Sequence, residues 1–383
     1  MTPDPGFGLY LHWPFCQSKC PYCDFNSHVA AKIDQTRWRD AYLAEIDRAG
    51  AETRGRILQS VFLGGGTPSL MDPDLVAAIL ERIRATWPMS NAPEITMEAN
   101  PGSVEAGRFR AFRDAGINRV SIGVQALDDG SLRQLGRMHS AAEAIRAVEI
   151  AQATFPRVNF DLIYARQGQD IDAWTRELQT ALSLSPSHLS LYQLTIEEGT
   201  VFHERHLRGL LRDLPTEDLS ADLYALTQDI CDTAGLPAYE VSNHAIPGEE
   251  SRHNLTYWRG GDYVGIGPGA HGRLTLNGTR HATECPREPA YWLKAVEKNA
   301  MGEGPRTPLS PTEQATEYLL MGLRVHEGIW LDRLAEIQGK PFDPALARDL
   351  IGYGLIDLDT HRLRVTRAGM PLLNSVLREL VPG

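Results

Sequence analysis

Long hydrophobic runs are missing from this 383-residue chain. No stretch approaches the ~20 apolar residues that a membrane-spanning helix requires. The first residues, Met1 to Gly8, carry no basic segment leading into an apolar one, so no signal peptide is expected. The expectation is a cytoplasmic protein. No basic amphipathic helix announces a membrane surface, so any association with the inner face of a membrane would be peripheral. Positive charge is also short: 38 Lys and Arg against 49 Asp and Glu give a net charge of −11. That argues against broad nucleic-acid binding, which needs a cationic surplus to neutralise phosphates. Cysteine is scarce and odd in number, five in all, with three inside eight residues. A secreted disulfide framework does not look like this; clustered cysteines in a reducing compartment more often ligate metal. Internal repeats and low-complexity tracts are absent too.

What is present is an alternation. The length supports one large domain plus a smaller one. Short apolar, β-branched runs at 9–12, 61–63, 95–98, 119–123, 159–164, 188–194 and 238–241 read as strands. Between them lie amphipathic helices, with stripes such as Trp38, Tyr42 and Ile46, or Leu75, Ile79, Ile83 and Trp87. Asp72 with Pro73 reads as a helix start, Ser140 with Glu143 as a capping box, and Gly116 and Gly235 as helix ends. Repeated strand–helix units imply an α/β fold with a parallel sheet. Six or so units suit a partial (β/α)6-type barrel over residues 1–245, with its chemistry at the C-terminal strand ends. Residues 246–306 read as a connecting segment, in loops from Tyr257 to about Arg306 apart from one short helix near 291–298. Residues 307–383 read as a small winged-helix-like α+β domain whose mixed charge gives it no nucleic-acid role.

Cys16, Cys20 and Cys23 follow the first strand, with spacings of four and three. Pro14 and Pro21 oppose a regular helix, so the segment reads as a loop wrapped around a compact group. Three thiolates on a four-iron cube leave one iron open, as a reactive site requires. Structural zinc is the other reading, but it wants four ligands in pairs, and no partner pair is apparent. Gly64-Gly65-Gly66-Thr67-Pro68 directly follows the second strand, where glycines bring the backbone close to a ligand and present N–H groups. Glu98, Gln125 and Asp161 fall at later strand ends, Arg137 lies beyond Gln125, and Tyr10 precedes the first cysteine. One shared site on a barrel rim requires this kind of distribution.

Cys-x3-Cys-x2-Cys with the aromatic Tyr22 before the last cysteine resembles the radical SAM family. The resemblance implies a [4Fe–4S] cluster on Cys16, Cys20 and Cys23 and S-adenosylmethionine on its open iron. It also implies S-adenosylmethionine contacts at Tyr10, Tyr22, Gly65, Gly66, Thr67, Glu98, Gln125, Arg137 and Asp161. One segment departs from the pattern: Ala165-Arg166-Gln167-Gly168-Gln169 stands where the family usually has Gly-Leu-Pro-Gly-Gln.

Nearly the whole chain resembles the HemN/HemW branch of that family, which holds oxygen-independent coproporphyrinogen III dehydrogenases and haem chaperones. Phe25 stands where the dehydrogenases carry a fourth cysteine, and only 15 residues precede Cys16. Arg252-His253-Asn254-Leu255-Thr256-Tyr257-Trp258 matches the chaperones' His-Asn-x-x-Tyr-Trp signature. It leads into the block Gly265-Ile266-Gly267-Pro268-Gly269-Ala270-His271. A neutral imidazole is a common axial ligand of haem iron. The resemblance therefore implies haem on His253, with His244 and His271 as lesser candidates, and no assigned catalytic residue. It further implies haem-accepting proteins such as cytochromes as partners and a flavodoxin or ferredoxin as electron donor. Whether the chain turns over as an enzyme, and whether it forms a homodimer, stay open.

Overall fold

Six of the seven strand-forming runs, and the helix stripes, fall where the sequence places them in the computed structural model of the chain, which describes residues 4–30, 32–102 and 107–381. The first strand, β1 (Phe7–Trp13), leads into a two-residue pair, β2 (Phe15–Cys16) with β3 (His28–Val29), which closes the base of the cysteine loop. The barrel strands follow: β4 (Leu58–Gly65), β5 (Met89–Ala99), β6 (Arg119–Gln125), β7 (Arg157–Tyr164) and β8 (His188–Gln193). They lie parallel in the order β1-β4-β5-β6-β7-β8. Helices Gln35–Glu52, Pro73–Thr86, Phe109–Ala115, Ala141–Thr154 and Ile171–Ser183 alternate with them. The capping boxes at Ser140/Glu143 and Ser310/Glu313 are both formed.

Period-two alternation divides the sheet into two faces. Leu9, Leu11 and Trp13 of β1, Val61 and Leu63 of β4, and Ile95 and Met97 of β5 join the main apolar core. Trp38, Tyr42 and Ile46 of the first helix pack in the same core. The other face carries Tyr10, His12, Ser60, Glu94, Thr96, Glu98, Ser121, Asn159 and Asp161. This polar inner face opens at the C-terminal strand ends, beside the cysteine loop.

Two expectations are corrected. Residues 238–241 form no strand: Ala238 and Glu240 make isolated bridges to His244 and Val325. The chain turns back there because the Glu240 carboxylate accepts from Ser242 N and Asn243 Nδ2. The edge strand is instead β9 (Asn243–Ala245), antiparallel to β8. The segment read as loops extends the sheet on its other side. β10 (Asp262–Ile266) lies parallel to β1, and β11 (His271–Leu276), β12 (Thr279–Glu284) and β13 (Thr307–Pro308) continue antiparallel. Since β9 and β13 end the eleven-stranded sheet, the barrel is open.

The C-terminal unit has its own core. Helices Pro311–Gly322, Leu331–Gln338 and Leu373–Leu380 pack on a small sheet of β14 (Ile329–Trp330), β15 (Ile356–Leu358) and β16 (Arg362–Val365). Among the described residues, no helix is long and apolar enough to cross a membrane.

Candidate functional site

The end of β1 delivers the cysteine loop to the rim, and the ends of β4, β5, β6 and β7 supply what surrounds it. Cys16, Cys20 and Cys23 are half-buried and free of disulfides. Burial pushes the Cys16 and Cys23 thiols up, and neighbouring hydroxyls oppose that shift. Each sulfur has a donor nearby. Thr67 Oγ1 donates to Cys16 Sγ (3.4 Å), Arg137 Nη1 donates to Cys20 Sγ (3.3 Å), and Ser27 Oγ lies 3.8 Å from Cys23 Sγ.

One residue ties two of these together. Asn100 Nδ2 donates to Thr67 Oγ1 (3.1 Å), while Asn100 Oδ1 accepts from Arg137 Nη2 (2.7 Å). Arg137 Nη2 also donates to the Gly123 carbonyl (2.9 Å). A continuous hydrogen-bonded arc therefore runs Cys16–Thr67–Asn100–Arg137–Cys20. Sequence reasoning quoted Asn100 only as part of its motif; an amide directly after the Glu98 strand end, before Pro101, was the available signal.

The glycine turn is built differently from its expectation. Its N–H groups are not presented to a ligand: Gly65 N donates to Glu98 Oε2 (3.0 Å), Gly66 N to Trp13 O (2.7 Å) and Thr67 N to Phe15 O (2.8 Å). The carbonyl side of the turn is what remains for an ammonium group to donate to. Close packing demands the glycines, since a Cβ on Gly66 would stand 2.7 Å from the Phe15 carbonyl oxygen.

Glu98 and Asp161 share the inner face. Burial, and then the charge of Asp161, pushes the Glu98 carboxyl up to about 8, against the pull of the Gly65 N–H. Burial likewise raises Asp161, although Asn159 Nδ2 (2.9 Å) and Ser121 Oγ (3.3 Å) donate to it. Near neutral pH the pair thus offers both a proton donor and acceptor oxygens to hydroxyl groups. Tyr10 Oη lies 2.8 Å from His12 Nδ1, and His12 Nε2 lies 2.9 Å from the Asn26 carbonyl. Tyr22 packs on Phe202 (6.2 Å between centroids) against Arg137, whose positive charge opposes the burial that raises its phenol. Gln125 sits at φ +71°, a left-handed conformation rare for a side-chain-bearing residue and found where a site imposes strain. The altered loop is anchored by its own arginine: Arg166 is buried, pairs with Glu177 (2.5 Å) and donates to the Ile163 carbonyl (2.6 Å).

His253, expected as a haem ligand, lies in the helix Arg252–Trp258 with 1% of its surface exposed. Its Nδ1 faces Ser60 Oγ (2.9 Å), its Nε2 faces Tyr257 Oη (2.6 Å), and its backbone N–H donates to Glu94. Burial pushes its pKa down to about 3. The imidazole acts as a neutral bolt between the helix and β4, with neither nitrogen free for iron. His244 is buried as well, while His271 is exposed at the start of β11.

The donor set suits an iron–sulfur cluster. Donors facing ligating sulfurs tune such clusters, and ligand orientation depends on such partners. Arg137 Nε is buried without a partner among the described residues, so this guanidinium retains a donor for an incoming ligand. Among the described residues, no three His, Cys, Asp or Glu side chains gather closely enough for a single metal ion. A multi-iron cube, which gives each thiolate a different iron, accepts such a spread arrangement.

Comparison with known proteins agrees with this geometry. Residues 10–179 match the radical SAM superfamily model, and residues 309–372 match the HemN C-terminal domain. The chain belongs to the radical SAM superfamily, the class that this fold and this rim define. Within it, the chain belongs to the HemN/HemW branch. It is 42% identical to the Escherichia coli protein named "Heme chaperone HemW", across 77% of each chain. It is 39% identical to the Bos taurus "Radical S-adenosyl methionine domain-containing protein 1, mitochondrial", across 99% of this chain and 89% of that protein. The solved structure of coproporphyrinogen III oxidase (HemN) from Escherichia coli superposes with a TM-score of 0.83 at 20% identity, over 99% of this chain and 90% of that one. That likeness supports the fold.

Proposed function

We propose that the chain is a haem-handling radical SAM protein that passes haem to acceptor proteins. The observation carrying this is its 42% identity to a named haem chaperone, set beside an exposed Phe25 where the dehydrogenases carry a fourth cysteine. Cys16, Cys20 and Cys23 would hold the [4Fe–4S] cluster that the family implies, with Arg137, Thr67 and Ser27 donating to their sulfurs. When bound, that group supplies one electron at low potential and an open iron for S-adenosylmethionine. The glycine-turn carbonyls would accept from the methionine ammonium, Glu98 and Asp161 would bond the ribose hydroxyls, and Tyr10, Tyr22, Gln125 and Arg137 would close round the nucleotide. Haem-accepting proteins such as cytochromes, and a flavodoxin or ferredoxin as reductant, follow as partners.

His253 serves this reading as a structural residue. The exposed His271 is the histidine of the original three that is open to haem iron. Anaerobic reconstitution of wild type, Cys20→Ser, His253→Ala and His271→Ala tests both parts. Cys20→Ser abolishes the broad visible absorbance of the cluster. His271→Ala weakens haem binding followed by absorbance. His253→Ala lowers stability by about 2–4 kcal/mol, because a packed ring is lost and Ser60 and Tyr257 lose their partner. Efficient decarboxylation of coproporphyrinogen III would instead identify a dehydrogenase.

A further inference from the structure

The block 265–271, read in sequence as the continuation of the haem signature, lies against the cysteine loop. Its glycines are shaped for that contact. Gly267 has φ +111°, and a Cβ there would stand 2.3 Å from the His12 carbonyl oxygen at the end of β1. Gly269 has φ +76°, and a Cβ there would stand 2.6 Å from Asn26 Nδ2. Asn26 comes three residues after Cys23.

The Asn26 side chain uses its whole amide. Nδ2 donates to the Pro268 carbonyl (2.9 Å) and the Arg287 carbonyl (2.8 Å), and Oδ1 faces His28 Nε2 (3.1 Å). The two carbonyls come from segments already tied to each other, by Gly269 N to Pro286 O (3.0 Å) and Cys285 N to Ala270 O (2.8 Å). The backbone carbonyl of Asn26 meets His12 Nε2, and His12 meets Tyr10. The other ties on the loop are polar as well: Thr67 and Arg137 donate to Cys16 and Cys20, and Phe202 N donates to the Pro21 carbonyl (2.9 Å). Between Cys16 and Ser27 only Tyr22 joins an apolar cluster, and Phe25 is 59% exposed. Apolar burial therefore cannot fix the positions of the three sulfurs, and polar contacts must do so.

We infer that Asn26 and the turn 267–269 form a latch that positions the cysteine loop for its cluster, making Asn26 a positioning residue for Cys16, Cys20 and Cys23. This rests on the proposed reading of those cysteines as cluster ligands. An asparagine is required because the socket offers two carbonyls and a histidine nitrogen. An aspartate of the same shape has no donor, and its charge would face two carbonyl oxygens.

The test uses the full chain, with Asn26→Asp as the isosteric variant, Asn26→Ala as the truncation and Gly269→Ala as the change from the socket side. Two rates are followed: alkylation of the metal-free protein's thiols by iodoacetamide, and iron loss from the reconstituted protein to a chelator. Both are expected to rise in all three variants, iron loss by about 10-fold or more, the range for residues that orient metal ligands. Far-UV circular dichroism and the melting of the barrel should stay near wild type in Asn26→Asp. The Asn26→Ala/Gly269→Ala pair should exceed the stronger single change by little, since both break one contact. Unchanged alkylation rates in Asn26→Asp overturn the latch whatever the iron does. Faster alkylation in a protein whose wild type takes up no iron overturns the cluster reading and leaves the latch standing. A general loss of melting cooperativity in Asn26→Asp also overturns it, as a purely structural role.

Discussion

Glu98 is the residue whose chemistry departs furthest from its sequence setting. A carboxylate ending an apolar strand was legible as costly, and the structure shows how the cost is met: one N–H from Gly65 and a pKa raised to about 8. The unfolded chain releases this proton near the ordinary glutamate range, about 4.3. Between those two values the folded state binds one more proton than the unfolded state, so stability falls as pH rises. The contribution is fully present below the unfolded pKa and is gone once pH passes the folded one. The ligand-free protein should therefore melt at progressively lower temperature from pH 5 to pH 9. Glu98→Gln, neutral throughout, should flatten that slope and match or exceed wild type at pH 9. A differential scanning calorimetry series across this range checks it, and an unchanged slope in Glu98→Gln would assign the pH response elsewhere.

At the scale of the element, the glycine turn shows how a motif can be correctly located and wrongly explained. Glycines at a strand end suggest exposed N–H groups, but here Glu98 of β5, the end of β1 and the start of the cysteine loop take one each. Placing alanine at Gly66 would push the turn against the Phe15 backbone, which cannot move aside as a flexible side chain does. Overpacking of this kind costs about 1–3 kcal/mol. Gly66→Ala should lose that much in urea unfolding and also weaken S-adenosylmethionine binding in titrations of the cluster-loaded protein. Loss of stability with unchanged affinity would place the nucleotide away from this turn.

The same contrast explains what the sequence could and could not tell. All seven strand assignments rested on short apolar runs, and six of those runs became strands. Glu98 and Gln125 were found because each stands at or just past the end of such a run, and Asp161 because it is a carboxylate inside one. The assignment at 238–241 failed because a side chain, Glu240, caps a turn there. β10 went unseen because Gly265 interrupts a short run and its partner β1 lies some 250 residues earlier. Asn100, His12 and Asn26 were not singled out because a hydrogen bond across the fold leaves no periodicity to read. For His253, a signature marks which residue matters without saying whether it faces a ligand or locks a helix.

At the scale of the whole molecule, the small C-terminal core is separate from the barrel core; Tyr224 and Val241 pack against it, and polar contacts add to the junction. Arg259 pairs with Glu327 and Arg273 with Glu317, each at 2.6 Å, and Glu240 bridges to Val325. Pairs of this exposure are worth about 0.2–1 kcal/mol each. Arg259→Ala with Arg273→Ala should leave the barrel intact while amide hydrogen exchange speeds up across Leu331–Gln338 and Leu373–Leu380. Equal acceleration in β4 and β5 would mean that the two cores unfold as one.

The position of β1 also sets an order of events during synthesis. The first strand made lies inside the sheet, between β4 and β10, so one of its flanks stays unpaired until residues 262–266 leave the ribosome. The socket for Asn26 is completed later still, with Arg287. A pairing this distant along the chain closes slowly and leaves an open strand edge while it waits. The nascent chain thus carries three reactive thiols on an unfastened loop for most of its translation. Iron delivered before the barrel closes would meet a site not yet assembled, so loading of the proposed cluster belongs after the last strand beside β1 is in place.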